Sequence, residues 1–355
     1  EAKIGTPPAM RIMAVVQTAA RDAVGDAQRG HASAEAAIAA AHRVSLAKLL
    51  PAQQVSIDAA HQAALAAIPD GPAKAAGIAA GEKAAQAVLA ARADDVIAPE
   101  AYRPHTSAGA YVPTAPVAVP QWSQRKPWLL ASAAQFRPAA PPPLESATWV
   151  RDFNEVKDLG GRNSTRRSAE QTEAARFWDY SLPAIYHGVV RSVALSPGRD
   201  LATNARLFAT VAQAMDDAMI AVFDAKYHHN FWRPVTAIRN ADRDGNDATQ
   251  REPNWASLID APMHPEYPSG HSILAATVAT VLKAELKGGA LPTLSTSSPT
   301  AKGATRLWSS LDEFVREVSD ARVHGGIHFR SATDAGEAMG NRIGRLAVEG
   351  GATPF

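Results

Sequence analysis

The stretch "PSGHSILAATVATVL", residues 268–282, sets a proline, a small hydroxyl, a glycine and a histidine directly before a long apolar run. That order is the signature of a helix start, with Ser269 placed as the N-cap. The first turn of a helix exposes backbone N–H groups and the positive end of the macrodipole. Ser269, Gly270 and His271 therefore make a natural cradle for an oxyanion. The same residues also read as an ordinary cap, with Ser269 satisfying an amide and His271 a bystander. The rest of the chain has to decide between the two.

Working outward, helical patterning dominates both sides of this stretch. From Pro8 to about Arg92 come alanine-rich amphipathic segments such as "AEAAIAAAHRVSLAKLL" and "PAKAAGIAAGEKAAQAVLAA", several of them opened by proline. Residues 94–146 are different: prolines scattered through "RPHTSAGAYVPTAPVAVPQW" and "RPAAPPPL" predict extended chain crossing a surface. Trp122, Trp128 and Phe136 predict that this segment packs on the body. Helical patterning resumes near Ser146 and runs to the C-terminus, with no convincing period-two strand and no internal repeat. The expected fold is all-α, built from packed helical bundles: an N-terminal alanine-rich bundle over 1–93, a Pro-rich extended segment over 94–146, and a catalytic bundle over 147–355, the three forming one compact unit.

Composition narrows the function. The chain has 355 residues, 46% of them hydrophobic, enough for a large core. Lys and Arg number 36 against 35 Asp and Glu, so the net charge of +1 offers no global attraction to nucleic acid or anionic lipid. Any anion site must be local. The absence of cysteine removes disulfides, thiol catalysis and thiolate metal sites together. No apolar run reaches the length of a membrane span. The first residue is Glu1 rather than Met, which points to a cleaved leader and a periplasmic or secreted protein, or to a trimmed chain.

Two further clusters accompany the opening stretch. In "KYHHNFWRP", Lys226 and Arg233 stand seven residues apart, about two turns, which predicts that both lie on one helix face and that Pro234 ends that helix. In "ARVHGGIHF", Arg322 precedes His328 by six residues across the Gly325–Gly326 break. Arginine forks suit the oxygens of a tetrahedral anion and lysine adds a point charge. His228 and His229, or His324 with His328, do not read as a zinc site, because the neighbouring arginines would repel the ion. Asp216, Asp217 and Asp224 read as supports for the arginines rather than calcium ligands.

Taken in order, Lys226, Arg233-Pro234, Pro268-Ser269-Gly270-His271, and Arg322 with His328 resemble the signature shared by the vanadium-dependent haloperoxidases and the type 2 phosphatidic acid phosphatases. The resemblance covers at least residues 200–345. Chain length, the N-terminal helices and "ASAAQFRPAAPPP" at 131–143 resemble the haloperoxidase branch. It implies that Lys226, Arg233, Arg322, the Ser269 hydroxyl and the Gly270 amide bind the oxygens of vanadate, or of phosphate when phosphate occupies the site. It further implies that His328 bonds axially to vanadium or attacks phosphorus, and that His271 is the acid–base group. One site can serve both anions because trigonal-bipyramidal vanadate imitates the phosphoryl-transfer transition state.

His264 stands where algal bromoperoxidases are similar in carrying histidine, which favours bromide or iodide over chloride. Phe223 and Trp232 read either as an apolar wall beside the anion or as core. The family's Asp four residues after the axial histidine is Ala332 here. That leaves Asp334 or a backbone carbonyl to orient His328. Three functions follow: a haloperoxidase using hydrogen peroxide, a halide and a small organic acceptor; a phosphomonoesterase working through a phosphohistidine; or a non-catalytic oxyanion binder. The alanine-rich helices suit packing within one chain or between copies in a homo-oligomer.

Overall fold

The longest helix runs through the middle of the molecule and carries charge at two places along its length. In this computed structural model, which describes residues 4–98 and 101–350, it is α8, Leu201–His229. Glu1 and the outer ends of the first and last expected units lie outside the described residues. Asp200 caps the start of α8, its carboxylate accepting the Thr203 N–H at 2.7 Å. Apolar residues then face inward on nearly every side, among them Leu207, Val211, Met215, Ile220 and Val222. A helix buried all round needs neighbours on every face, and the rest of the chain supplies them.

Before α8 come α1 (Thr6–Arg29), α2 (Ala34–Leu49), α3 (Gln54–Ala66), α4 (Pro72–Ala91), α5 (Ala147–Gly160), α6 (Ala169–Phe177) and α7 (Pro183–Ala194). After it come α9 (Pro234–Arg239), α10 (Gly270–Leu286), α11 (Leu311–His324) and α12 (Arg330–Gly350). The all-α reading of the sequence holds, and α5 opens one residue after its cap, Ser146. One feature was not expected: a short antiparallel hairpin pairs β1, Leu294–Ser297, with β2, Thr305–Trp308. Each strand has only four residues, too few for alternation to stand out.

The alanine-rich helices α1, α2 and α4 share a small core of Val15, Ala19, Ala37, Ala41 and Ala85, and α1 also lies against α8. The Pro-rich segment crosses this junction as a strap. Among its rings, Trp122 is buried, Trp128 lies under the Arg92 guanidinium at 3.7 Å, and Phe136 lies beneath Arg342 at 5.2 Å. The carboxylates of α8 hold the strap. Asp217 accepts the backbone N–H groups of Trp128, Leu129 and Leu130 at 2.7–3.0 Å. Asp216 takes Arg11 and the Trp128 indole, and Asp224 takes a two-pronged Arg137. Asp216 and Asp224 do pair with arginines, but with Arg11 and Arg137 rather than with the cations of the anion cluster, and Asp217 pairs with backbone N–H groups alone.

Helices α10 and α12 meet across glycines. A Cβ on Gly336 would come within 2.6 Å of the Ser269 carbonyl oxygen, and one on Gly340 within 2.3 Å of that of Ile273. Backbone therefore packs on backbone, and the start of α10 is fixed by contacts that have no side-chain freedom. Among the described residues no helix is long and apolar enough to cross a membrane.

Candidate active site

The start of α10 is built as its sequence suggests. Ser269 has extended backbone angles, its N–H is taken by the Ala332 carbonyl at 2.9 Å, and its hydroxyl accepts the Ser272 N–H at 3.3 Å. The hydroxyl oxygen also accepts from the Ser272 hydroxyl at 3.1 Å, so the proton of Ser269 is free to point elsewhere. A Cβ at Gly270 would meet nothing within 4 Å, so the helix opens onto space there.

Three buried cations surround this point. Lys226, at the end of α8, donates to the carbonyls of Pro265, Glu266 and Pro268 at 2.5–3.0 Å. The loop before α10 thus folds back over the ammonium, and its oxygens fix where that charge sits. Arg233 donates through Nε to the His264 carbonyl at 3.0 Å and through Nη1 to the Ile327 carbonyl at 2.8 Å. The expectation that Lys226 and Arg233 share a helix face is overturned. Asn230 ends α8 in the left-handed conformation, φ 49°, and Arg233 is the extended cap of α9, with Pro234 opening that helix rather than closing α8. The two charges converge because the chain turns, not because it continues. Arg322, near the end of α11, donates through Nη1 to the Trp178 carbonyl, while its buried Nε has no hydrogen-bond partner.

His328 follows the turn at Gly325 and Gly326, the latter at φ 78°, a conformation glycine adopts without strain. Its partner is neither Asp334, which is exposed, nor a carbonyl. The buried carboxylate of Glu266 takes His328 Nδ1 at 2.8 Å and the Phe329 N–H at 2.9 Å. A carboxylate on Nδ1 keeps the proton there, so Nε2 presents a lone pair, with Arg233 Nη1 at 3.4 Å. Glu266 was missed in the sequence because one acid two residues before the motif carries no pattern of its own.

His264 accepts from Arg233 Nη2 through Nδ1 at 3.0 Å, and Phe223 meets its ring edge-on with centroids 5.2 Å apart. Phe223 is therefore a neighbour of the cluster. Trp232 is not placed in the same way: it stacks on Trp149 at 5.9 Å within an aromatic core that includes Phe231 and Phe329. His271 projects from the first turn of α10, its Nε2 without a partner. Of these residues His264, Gly270 and His271 are partly accessible, whereas Lys226, Arg233, Arg322, Ser269 and His328 lie behind them.

Charge in the cluster is unbalanced. Burial holds the Lys226 ammonium well below its usual range, with Arg233 and Arg322 adding to the effect. Burial pulls both Arg233 and Arg322 down to about 10, and His264, His271 and His328 fall well below the usual imidazole value for the same first reason. Glu266 opposes Lys226 and Arg233, burial pushing it up to about 8, and the exposed Asp179 opposes Arg322. A dehydrated site with three cations, one buried acid, a helix N-terminus and spare donors on Arg322 and Ser269 is suited to a multiply charged oxyanion. Among the described residues no group of three or more His, Asp or Glu side chains converges to hold a cation.

Comparison with known proteins agrees with this chemistry. Residues 206–353 match the family model of the VCPO second helical-bundle domain. The vanadium chloroperoxidase of Curvularia inaequalis is 31% identical over 152 residues, which are 36% of this chain and 24% of that protein, so the match spans about a quarter of that relative's length. A bacterial vanadium-dependent iodoperoxidase superposes with a TM-score of 0.82 at 24% identity, covering 98% of this chain and 91% of its own. A bacterial vanadium-dependent chloroperoxidase, in its holo form, superposes at 0.78 with 18% identity, covering 98% and 94%. At these identities the structural likeness establishes the shared fold.

Proposed function

We infer the activity of this chain from the site's geometry together with its similarity to the vanadium-dependent haloperoxidases, whose second helical-bundle domain matches residues 206–353. The proposed activity is that of a vanadate-dependent haloperoxidase that oxidises bromide or iodide with hydrogen peroxide. One observation carries it: Glu266 holds Nδ1 of His328, so that the Nε2 lone pair sits among three buried cations.

These residues fit vanadate. Arg322 Nε and the Ser269 hydroxyl are donors with capacity to spare, the Gly270 amide heads a helix, and His328 Nε2 is the lone pair a metal centre requires. Bound there, vanadate supplies a Lewis-acidic centre that activates hydrogen peroxide towards a halide without changing its oxidation state. The chain does the rest. Lys226, Arg233 and Arg322 balance the charge of the oxygens, and the carbonyls around Lys226 keep it from moving as charge shifts. His271, kept neutral by burial, would accept a proton from bound hydrogen peroxide at Nε2 and hold it there for release. With Nδ1 of His264 accepting from Arg233, the ring's proton would sit on Nε2 and offer an N–H donor to a large, weakly hydrated halide. Phe223 beside it supplies an apolar flank.

A phosphomonoesterase reading uses the same atoms, and the unpartnered Nε2 of His271 favours it as well, as the acid for a leaving alcohol. The deciding experiment adds orthovanadate to the protein and follows peroxide-dependent bromination and iodination, with hydrolysis of a chromogenic phosphate ester in parallel. Halogenation that requires both vanadate and peroxide is expected. Ester hydrolysis without any halogenation would overturn it in favour of the phosphatase.

A further inference from the structure

Behind Ser269 runs a line of hydroxyls that the reaction just described does not use. Ser272 Oγ donates to Ser269 Oγ at 3.1 Å, and Ser319 Oγ, on α11, lies 2.9 Å from Ser272 Oγ. Ser319 Oγ is also in hydrogen-bond contact with the Glu337 carboxylate on α12. All three serines are buried, whereas Glu337 is partly accessible and lines an outer groove of about 740 Å³. The line thus joins the wall of the oxyanion site to a second surface of the molecule. The close meeting of α10 and α12 at Gly336, next to Glu337, makes the span short enough.

We propose that Glu337 sets the direction of this buried hydroxyl relay, and through it couples protonation in the outer groove to the grip of the site on its oxyanion. The inference rests on the oxyanion-site reading above. Each serine has one proton to give. Ser319 reaches both Ser272 and Glu337 and can donate to only one of them. When Glu337 is protonated it donates to Ser319, Ser319 donates to Ser272, and Ser272 donates to Ser269, leaving the Ser269 proton for the anion. When Glu337 is ionised, the charge-assisted bond draws the Ser319 proton outward. Ser272 then turns to Ser319, Ser269 turns to Ser272, and the anion loses a donor.

The surroundings of Glu337 raise its pKa above the usual carboxylate value. Burial raises its pKa, Asp334 and Asp320 push it the same way, and Ser319 and Arg330 oppose them. The charged groups facing it across the groove are Lys283 from α10, Asp312, Arg316 and Asp320 from α11, and Arg330, Asp334 and Arg345 from α12. Arg330 is itself tied to Glu155 and Asp320.

The test is calorimetric titration with inorganic phosphate, and with orthovanadate separately, between pH 5 and 9. The proteins compared are the wild type, Ser319→Ala, Ser319→Thr and Glu337→Gln. The ionisation of the free anion is common to all four, so the ratio of dissociation constants isolates the relay. The wild-type constant is expected to rise about tenfold relative to Ser319→Ala as Glu337 ionises, the worth of one charge-assisted hydrogen bond. Glu337→Gln should flatten the ratio, and Ser319→Thr, which keeps the hydroxyl, should restore it. Binding by the wild type should take up protons that Ser319→Ala does not, as seen in buffers of different ionisation enthalpy. Parallel pH profiles in all four proteins would overturn the relay and leave the site reading intact. Failure of the wild type to bind either anion would overturn both.

Discussion

Helix α8 buries charge at two places, and they are opposites. At its middle, protein donors meet the carboxylates of Asp216 and Asp217: Arg11, the Trp128 indole and three backbone N–H groups engage three of the four oxygens, Asp216 Oδ1 being left over, and burial still pushes Asp217 up to about 6. At its end, Lys226 stands with Arg233 and Arg322 against one buried acid, Glu266, and the exposed Asp179, with donors left over on Arg322 and Ser269. Both are desolvated, so burial alone does not separate structure from site. Balance does. A buried charge whose partners are all protein groups holds a strap in place, whereas an excess of one sign with unpartnered donors is a place for something else.

The largest expected effect lies at the middle of the helix. Asp217→Ala leaves three backbone donors of the strap unpaired and should cost about 3–5 kcal/mol in denaturant unfolding at neutral pH. Phosphate affinity of the folded fraction should be unchanged. A variant that folds normally and loses anion binding would collapse the distinction. At the unbalanced end, Arg322→Met should weaken phosphate or vanadate binding by about 10–100-fold, the scale of a charge-assisted hydrogen bond. Its unfolding free energy without anion should hold steady or increase, because one dehydrated cation has gone. Destabilisation comparable to Asp217→Ala would show that the cations are structural after all.

A third kind of buried group sharpens the contrast. His187, on α7, is neither paired by charge nor aimed at the cluster: it stacks on Phe208 with centroids 5.6 Å apart, and burial lowers it to about 4. It stays folded by staying neutral. A lowered folded value gives stability that is fully present above about 6.5, the unfolded value, and is lost as pH falls towards 4. His187→Phe should therefore remove a slope of at most about 1.4 kcal/mol per pH unit from the stability between those limits, measured by urea unfolding across the range. Identical slopes would mean that the histidine finds a proton acceptor when charged.

Much of the cluster was legible because its members announce themselves by type and order: Lys226, Arg233, Ser269-Gly270-His271, Arg322 and His328. What could not be read is the backbone between them. Nothing in a sequence marks the carbonyls of Pro265, Glu266 and Pro268 as a socket for Lys226, or Asn230 as the residue that turns the chain left-handed. Spacing suggested one continuous helix, and the competing preference of Asn for the left-handed region prevailed. Glu266 was hidden for a similar reason, since its role depends on meeting a histidine 62 residues away.

The glycine seam of α12 has a consequence for how such a site can change. Where Gly336 and Gly340 press directly on the carbonyls of α10, no bulkier residue can enter without moving the serine that heads the cradle. That wall is rigid tooling, machined once. Any change in which anion the cluster takes must therefore come from residues outside the seam, such as the ring pair at positions 223 and 264.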